Sequence, residues 1–275
     1  MDQKGYELGM RIPVLVLTRG DGTSLYPLRD IAYNLEKLKK GENIVILGED
    51  QKLYQEQIAA VLKELELKPP RVVHYSFVLL QEGKMSTRKG NLVLLEDFMK
   101  EALSKSRSEI KKRYNKPDEK SAKTIAYGAI KYGILKVSPE KNVVFDWQHA
   151  LSFEGETAPY ILYAYARISS ILKKARKASS KADLSLLNQK EEIELIRQLS
   201  NFPEIASKST SELRPHLIAS YLHSLAQKFN EYYHMHQILK SEKAVKDARV
   251  LLISAIRQVI KNGLNLLGIG VLERM

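Results

Sequence analysis

The heptapeptide KMSTRKG, residues 84–90, is the stretch on which the fold assignment depends. An apolar run at 72–79 predicts a strand directly before it, and a shorter apolar run follows at 92–95. Three cations, two hydroxyls and a glycine therefore occupy a loop at the end of a strand, where open α/β sheets bind their ligands. Such a loop can neutralise a polyphosphate and donate hydrogen bonds to it, which suits ATP during attack on its α-phosphate. The alternative is a solvated basic loop.

Upstream of this loop the sequence alternates apolar runs with amphipathic segments. The apolar runs predict buried strands, at residues 14–17, 44–47 and 72–79. Helices are predicted between them, one from Leu25 and one from about Leu53 to Leu67. This order is typical of a parallel α/β unit with right-handed crossovers. The loops that carry Tyr26, Gln51 and Lys84 each follow a strand, so we expect them at one edge of a single sheet.

The first predicted helix carries a phenol and a carboxylate one turn apart. Tyr26 and Asp30 are four residues apart, so they share one helical face. Placed after a strand, the pair could receive a cationic substrate. A surface pair without a ligand is the alternative.

Downstream of residue 95 the sequence predicts helices, at 95–113, 121–135, 159–177, 189–207, 212–239 and 242–267. In the helix at 159–177, Tyr160, Tyr163 and Arg167 lie at positions i, i+3 and i+7 and form one face. Two aromatic rings with a guanidinium suit unpaired nucleobases and phosphates. A tyrosine stripe packed into a helical core is the alternative.

Composition narrows the classes of partner and compartment. The chain has 275 residues, a net charge of +12 and no cysteine. The charge favours nucleic acid as a partner, although lysine-rich helices can also serve solubility alone. Without cysteine there is no disulfide, which fits a reducing compartment, and we expect a cytoplasmic protein. No apolar run approaches a membrane span and the N-terminus lacks a signal-peptide layout, so no membrane partner is predicted.

Four segments resemble one family. KMSTRKG resembles the KMSKS signature of class I aminoacyl-tRNA synthetases, in the form found in arginyl-tRNA synthetases. Residues 19–30 and 48–51 resemble the substrate loops of that family, and residues 151–163 resemble its junction with the anticodon domain. The Glu273-Arg274-Met275 ending is also typical of it, and the motifs follow the family's order along nearly the whole chain.

The resemblance implies a fold and three domains. The expected fold class is a partial Rossmann-like α/β catalytic domain with parallel strands, followed by an all-α helical-bundle anticodon-binding domain. We expect the catalytic part at residues 1–95, a helical junction at 96–157 and a DALR-like anticodon-binding domain at 158–275.

The resemblance also implies roles for individual residues. The arginine substrate would contact Tyr26, Asp30 and Gln51. Catalysis would use Lys84, Ser86 and Arg88, and Met85 would join them in binding ATP, which brings Mg²⁺; no protein-bound metal is predicted. The tRNA anticodon loop would contact a set of side chains on the C-terminal helices and at the chain end, Tyr160, Tyr163, Arg167, Tyr233 and Met275. Tyr232 is adjacent to Tyr233, so that assignment leaves an alternative open.

One departure from the family limits the expected activity. The His-x-Gly-His type of ATP motif does not occur anywhere in the sequence. We therefore expect the C-terminal part of an arginine–tRNA ligase, with tRNA(Arg), arginine and ATP as partners and a need for the N-terminal part. A catalytically inactive RNA-binding module and another class I synthetase are the alternatives. A sheet begun halfway is also expected to expose an apolar edge.

Overall fold

The computed structural model describes residues 14–80, 94–113, 118–175 and 182–275. The loop at 84–90 lies outside these residues. Two compact units make up the chain, residues 1–77 with 139–142 and residues 78–138 with 143–275. The helices and strands are, in chain order, α1 Tyr26–Leu38, β1 Ile44–Gly48, α2 Lys52–Glu64, β2 Arg71–Tyr75, β3 Val78–Leu80, α3 Leu95–Arg113, α4 Glu119–Leu135, β4 Val143–Phe145, α5 Trp147–Ala150, α6 Ala158–Ala175, α7 Lys190–Glu212, α8 His216–Met235 and α9 Lys243–Leu266.

The first unit packs α1 and α2 around a small apolar cluster. Strands β1 and β2 pair in parallel, with Ile44 opposite Arg71. A cluster of buried side chains joins the helices, formed by Ile31, Ile58 and Leu62. Leu15 and Leu17 pack against this cluster, but the strand predicted at 14–17 is wrong. Residues 14–17 form no ladder with any described strand. The nearest pairing is an isolated bridge between Thr18 and Ser24.

The strand predicted at 72–79 is two strands in the structure. The side-chain Oδ1 of Asn142 accepts a hydrogen bond from the Ser76 hydroxyl at 2.6 Å. The same oxygen accepts the backbone N–H of Phe77 at 3.1 Å. The backbone N–H of Ser76 donates to the carbonyl of Pro139 at 2.8 Å, so neither Ser76 nor Phe77 continues the ladder and β2 ends at Tyr75. A new parallel pair then begins, with Val78 opposite Val143 of β4.

The second unit is mainly helical and contains the larger core. Its largest fully buried side chains come from α4, α6, α7 and α8, and include Tyr132, Leu162, Tyr165, Leu195 and Phe229. The Tyr132 hydroxyl donates to the backbone carbonyl of Ala219 at 3.0 Å, which satisfies a buried polar group and ties α4 to α8. The helices predicted downstream of residue 95 are confirmed.

Among these helices, α8 is shorter than the predicted 212–239, since it spans His216–Met235, and α7 is longer than predicted. The structure extends it through Pro203 to Glu212, well past the predicted end at 207, and stops it at Leu213, whose backbone is left-handed with φ 56°. None of the helices in the described ranges is long and apolar enough to cross a membrane.

A buried carboxylate joins the last three helices. Glu192 on α7 is fully buried, and its Oε1 accepts hydrogen bonds from Arg249 Nε at 2.8 Å and from the Tyr232 hydroxyl at 3.2 Å. Its Oε2 accepts the backbone N–H of Gln189 at 3.1 Å, which completes a capping box at the start of α7. A charge in the interior is tolerated because it is paired and hydrogen-bonded.

Candidate nucleic-acid interface

A large cavity lies within the second unit, between α6 and the C-terminal end of α8. Its volume is about 1020 Å³, and the segment after α8 and the chain end complete its wall. The polar and charged residues that line it include Tyr163, Arg167, Lys174, Tyr233, His234, His236, Lys240 and Arg274. Met275 also lines the cavity and packs against the core. Four of the five predicted anticodon contacts therefore meet in one place.

The guanidinium of Arg167 is the centre of the cavity's polar wall. It lies 4.6 Å from the centroid of the Tyr163 ring and 4.9 Å from that of Tyr233. Its Nη1 donates to Oδ1 of Asn230 at 2.8 Å, and its Nη2 donates to the Tyr163 hydroxyl at 3.1 Å. Two cation–π contacts and two hydrogen bonds hold one cation between two aromatic rings.

Helical spacing explains how these side chains meet. Tyr163 and Arg167 are one turn apart on α6, and Asn230 and Tyr233 are three residues apart on α8. The two helices pack on each other through apolar residues, and each presents one polar edge to the cavity. The packing of these helices therefore fixes the arrangement of the four side chains.

Positive charge predominates around this centre. Lys174, Lys240 and Arg274 are exposed and line the cavity. One acidic side chain, Asp118, lies among the described lining residues. Hydrogen bonds from the Ser121 hydroxyl and backbone N–H lower the pKa of Asp118, so this residue stays ionised. The cavity combines aromatic faces with cations, which suits a single-stranded polynucleotide loop.

The structure distinguishes Tyr232 from Tyr233, which the sequence alone could not do. Tyr232 is fully buried, whereas Tyr233 is 38% exposed and lines the cavity. Tyr160 is half-buried, and its ring centroid lies 5.4 Å from that of His223, against the core. It is absent from the described lining of the cavity. Of the three side chains predicted to form one face of α6, Tyr163 and Arg167 line the cavity and Tyr160 packs toward the core. An RNA contact by Tyr160 stays a prediction.

The predicted arginine-binding residues lie in the first unit. Tyr26 is 79% exposed. Asp30 is half-buried and its Oδ2 accepts the Tyr54 hydroxyl at 2.5 Å; burial, followed by this bond, raises the pKa of Tyr54. Gln51 precedes α2 by one residue, one turn before Tyr54, and its amide donates to Asp50 at 3.0 Å. The carboxylate of Asp30, on α1, and the side chain of Gln51 therefore both lie near the first turn of α2.

The predicted ATP-binding residues Lys84, Met85, Ser86 and Arg88 lie outside the described residues. Among the residues that the structure does describe, no group of three or more histidines and carboxylates could hold a metal ion.

Three polar residues of these two sites were not predicted. Lys174 lies seven residues after Arg167 on α6, so an extension of the same helical face would have found it. Asn230 lies three residues before Tyr233, but an asparagine on a helix carries no signal of its own. Tyr54 contacts Asp30 across 24 residues of sequence, a distance that no local pattern spans.

Comparison with known proteins identifies the family and two domain types in the chain. Residues 3–147 match the family model described as tRNA synthetases class I (R), catalytic domain. The chain belongs to the arginyl-tRNA synthetase family. Residues 161–275 match the DALR anticodon-binding domain, so the cavity lies largely within a domain of that type. The predicted fold class is thereby confirmed, and the domain boundaries at 95 and 157 stay a prediction.

The relatives that the chain matches are longer than the chain itself. The arginine–tRNA ligase of Methanocella arvoryzae is 42% identical over 266 residues, which are 94% of this chain and 47% of that protein. The arginine–tRNA ligase of Methanocaldococcus jannaschii is 42% identical over 267 residues, with 95% and 47% covered. The solved structure of Thermus thermophilus arginyl-tRNA synthetase superposes with a TM-score of 0.87 at 29% identity, with 96% and 52% covered. The chain thus spans about half the length of these relatives.

Proposed function

We propose that this chain supplies the C-terminal portion of an arginine–tRNA ligase, which activates arginine with ATP and transfers it to tRNA(Arg). In this proposal the cavity of the second unit binds the anticodon loop. The observation that carries it is the Arg167 guanidinium held between the rings of Tyr163 and Tyr233 in a basic cavity.

The cavity offers each part of an anticodon loop a matching group. Unpaired bases stack on aromatic and guanidinium planes, which Tyr163, Arg167 and Tyr233 provide. Phosphates favour the exposed cations, Lys174 and Lys240 among them. Because Arg167 is fixed by Asn230 before RNA arrives, little conformational entropy is lost on binding.

The first unit would contribute to arginine activation. The carboxylate of Asp30 is suited to the cationic side chain of arginine, and Tyr26 and Gln51 would complete the contacts from this chain. In the loop at 84–90, Lys84, Ser86 and Arg88, with Met85 beside them, would neutralise and position the phosphates of ATP with its Mg²⁺. This step forms an aminoacyl adenylate and releases pyrophosphate.

The same proposal implies a partner and a compartment. Because the chain spans about half the length of its relatives, we propose that activity requires the N-terminal portion of the synthetase. The compartment proposed for the assembled enzyme is the cytoplasm, where tRNA is charged.

Nuclease protection of tRNA(Arg) tests the assignment of the cavity. We expect the 275-residue chain to protect the anticodon loop, and Tyr163→Ala or Arg167→Ala to weaken binding, since each stacked base contributes about 1–3 kcal/mol. Tyr33→Ala is the matched control, because Tyr33 is an exposed tyrosine of the first unit and should leave affinity unchanged. Protection of the acceptor stem alone, or equal affinity in all variants, would contradict the proposal.

A further inference from the structure

A histidine in the wall of the cavity is held by a carboxylate from another helix. His236 directly follows α8 and lines the cavity, and its side chain is 16% exposed. Its Nε2 lies 3.0 Å from Oε2 of Glu191, which belongs to the first turn of α7 and is absent from the described lining. The ring centroid of the buried Tyr232 lies 5.0 Å from that of the imidazole. A carboxylate and an aromatic ring therefore fix the orientation of His236.

The carboxylate also decides which ring nitrogen of His236 carries the proton. A hydrogen bond from the backbone N–H of Glu191, followed by the bond to His236, lowers the pKa of Glu191. Its side chain therefore stays ionised and can only accept hydrogen bonds, so Nε2 of His236 is the donor. In the neutral imidazole the second nitrogen, Nδ1, has a lone pair and no proton, and it is an acceptor.

An uncharged acceptor complements the other polar groups of the cavity. The cations that line it can donate hydrogen bonds but cannot accept them, and they include Arg167, Lys174, Lys240 and Arg274. The carboxylate of Asp118 already accepts hydrogen bonds from Ser121 at the start of α4. Nδ1 of His236 is suited to the amino group of a nucleobase, which needs an acceptor.

The genetic code identifies a base of tRNA(Arg) with such an amino group. Every arginine codon has guanine in its middle position, so the middle base of the anticodon is cytosine. Cytosine presents its N4 amino group where uracil presents a carbonyl oxygen. An acceptor on the protein therefore binds cytosine at this position, whereas uracil would place a second acceptor against it.

We infer that His236 is a specificity-determining residue of the cavity, whose Nδ1 accepts a hydrogen bond from the N4 amino group of the middle anticodon cytosine. Glu191 is the positioning residue that fixes the imidazole and its tautomer. This inference rests on the proposed function, because it requires the anticodon loop to bind in the cavity.

Discrimination between two RNAs tests the inference. Two transcripts of tRNA(Arg) carry either cytosine or uracil as the middle anticodon base, and fluorescence anisotropy measures the affinity of the 275-residue chain for each. We expect the unchanged chain to prefer cytosine. His236→Phe keeps an aromatic ring beside Tyr232 but loses Nδ1, so it should reduce this preference about tenfold. Glu191→Gln should also reduce it, because an amide can donate to Nε2 as well as accept from it.

Two further variants control for effects on folding. Glu194 lies three residues after Glu191 on α7 and pairs with Lys228, which is absent from the described lining, so Glu194→Gln should leave both affinities unchanged. His236→Asn places an acceptor near the position of Nδ1 and should keep part of the preference. Circular dichroism checks that each variant keeps its helices, and Glu191→Gln decides the outcome if His236→Phe does not fold.

The ratio of the two affinities separates a role in specificity from a structural role. If His236→Phe and Glu191→Gln weakened binding of both transcripts equally, the inference would be overturned, and the proposed anticodon function would stand. An unchanged preference in both variants would overturn it too, as would equal affinity of the unchanged chain for the two transcripts. If the unchanged chain bound neither transcript, the proposed function itself would be contradicted, and the inference with it.

Discussion

At the scale of single residues, Asn230 fixes the orientation of the Arg167 guanidinium. Its Oδ1 accepts a hydrogen bond from Arg167 Nη1 at 2.8 Å. Without that acceptor, the guanidinium keeps its contacts with the two tyrosine rings, but its orientation is no longer fixed. We expect Asn230→Ala to weaken binding of the anticodon loop by roughly ten- to a hundredfold, since a hydrogen bond to a charged group contributes about 1.5–3 kcal/mol. Fluorescence anisotropy with a labelled tRNA(Arg) measures this change.

Two further variants separate a role in orienting Arg167 from a role in folding. Asn230→Gln keeps an uncharged amide acceptor for Arg167 and should restore part of the affinity. Asn262→Ala is the matched control, since Asn262 is exposed on α9 and accepts a hydrogen bond from Gln258. If Asn230→Gln bound as weakly as Asn230→Ala, the orienting role would be wrong.

Some residues of the cavity could be predicted from the sequence and others could not. Tyr163 and Arg167 could be predicted together because both lie on one helix, where spacing fixes the face. Asn230 could not, because its role depends on how α8 packs against α6. Tyr232 and Tyr233 are neighbours with identical side chains, and only the packing of α8 decides that Tyr232 is buried and Tyr233 exposed.

At the scale of elements, α7, α8 and α9 are joined by the carboxylate of Glu192. Its removal would leave Arg249, which is 12% exposed, and the buried Tyr232 hydroxyl without their partner. Breaking a buried pair in this way costs about 3–5 kcal/mol, so Glu192→Ala should lower the free energy of unfolding by that order. Chemical denaturation followed by circular dichroism measures it.

A second glutamate on α7 is the matched control. Glu194 forms an ion pair with Lys228 at 3.1 Å, but both side chains are partly exposed, at 40% and 34%. Pairs of this kind contribute about 0–1 kcal/mol, so Glu194→Ala should change stability little. If Glu192→Ala and Glu194→Ala lowered the free energy of unfolding by similar amounts, the burial of Glu192 would not be the cause of its larger expected effect.

The helices were predicted correctly from the sequence, whereas two of the strands were not. The helices of the second unit were predicted because their apolar faces repeat over many residues. The strand predicted at 14–17 was wrong because a short apolar run cannot show whether a neighbouring strand pairs with it. The run at 72–79 was divided by Asn142, which lies more than sixty residues away in sequence.

At the scale of the whole molecule, binding of tRNA and activation of arginine should be separable. The cavity that we assign to the anticodon loop is formed within one unit of this chain. Within the residues that the structure describes, the predicted arginine site is open, since Tyr26 is 79% exposed and Gln51 is also exposed. Activation depends on groups held in position and shielded from water, and an open half-site provides neither.

Pyrophosphate exchange therefore separates the two activities. With arginine, ATP and labelled pyrophosphate, we expect the 275-residue chain to give exchange at background level while it still binds tRNA(Arg). Addition of the N-terminal portion of a relative should restore exchange, and Lys84→Ala should then abolish it without changing tRNA affinity, because a phosphate-binding cation has no part in the cavity. Exchange by the chain alone at the rate of a full-length synthetase would show that the arginine and ATP sites are complete in these residues. The proposed need for a second polypeptide would then be wrong.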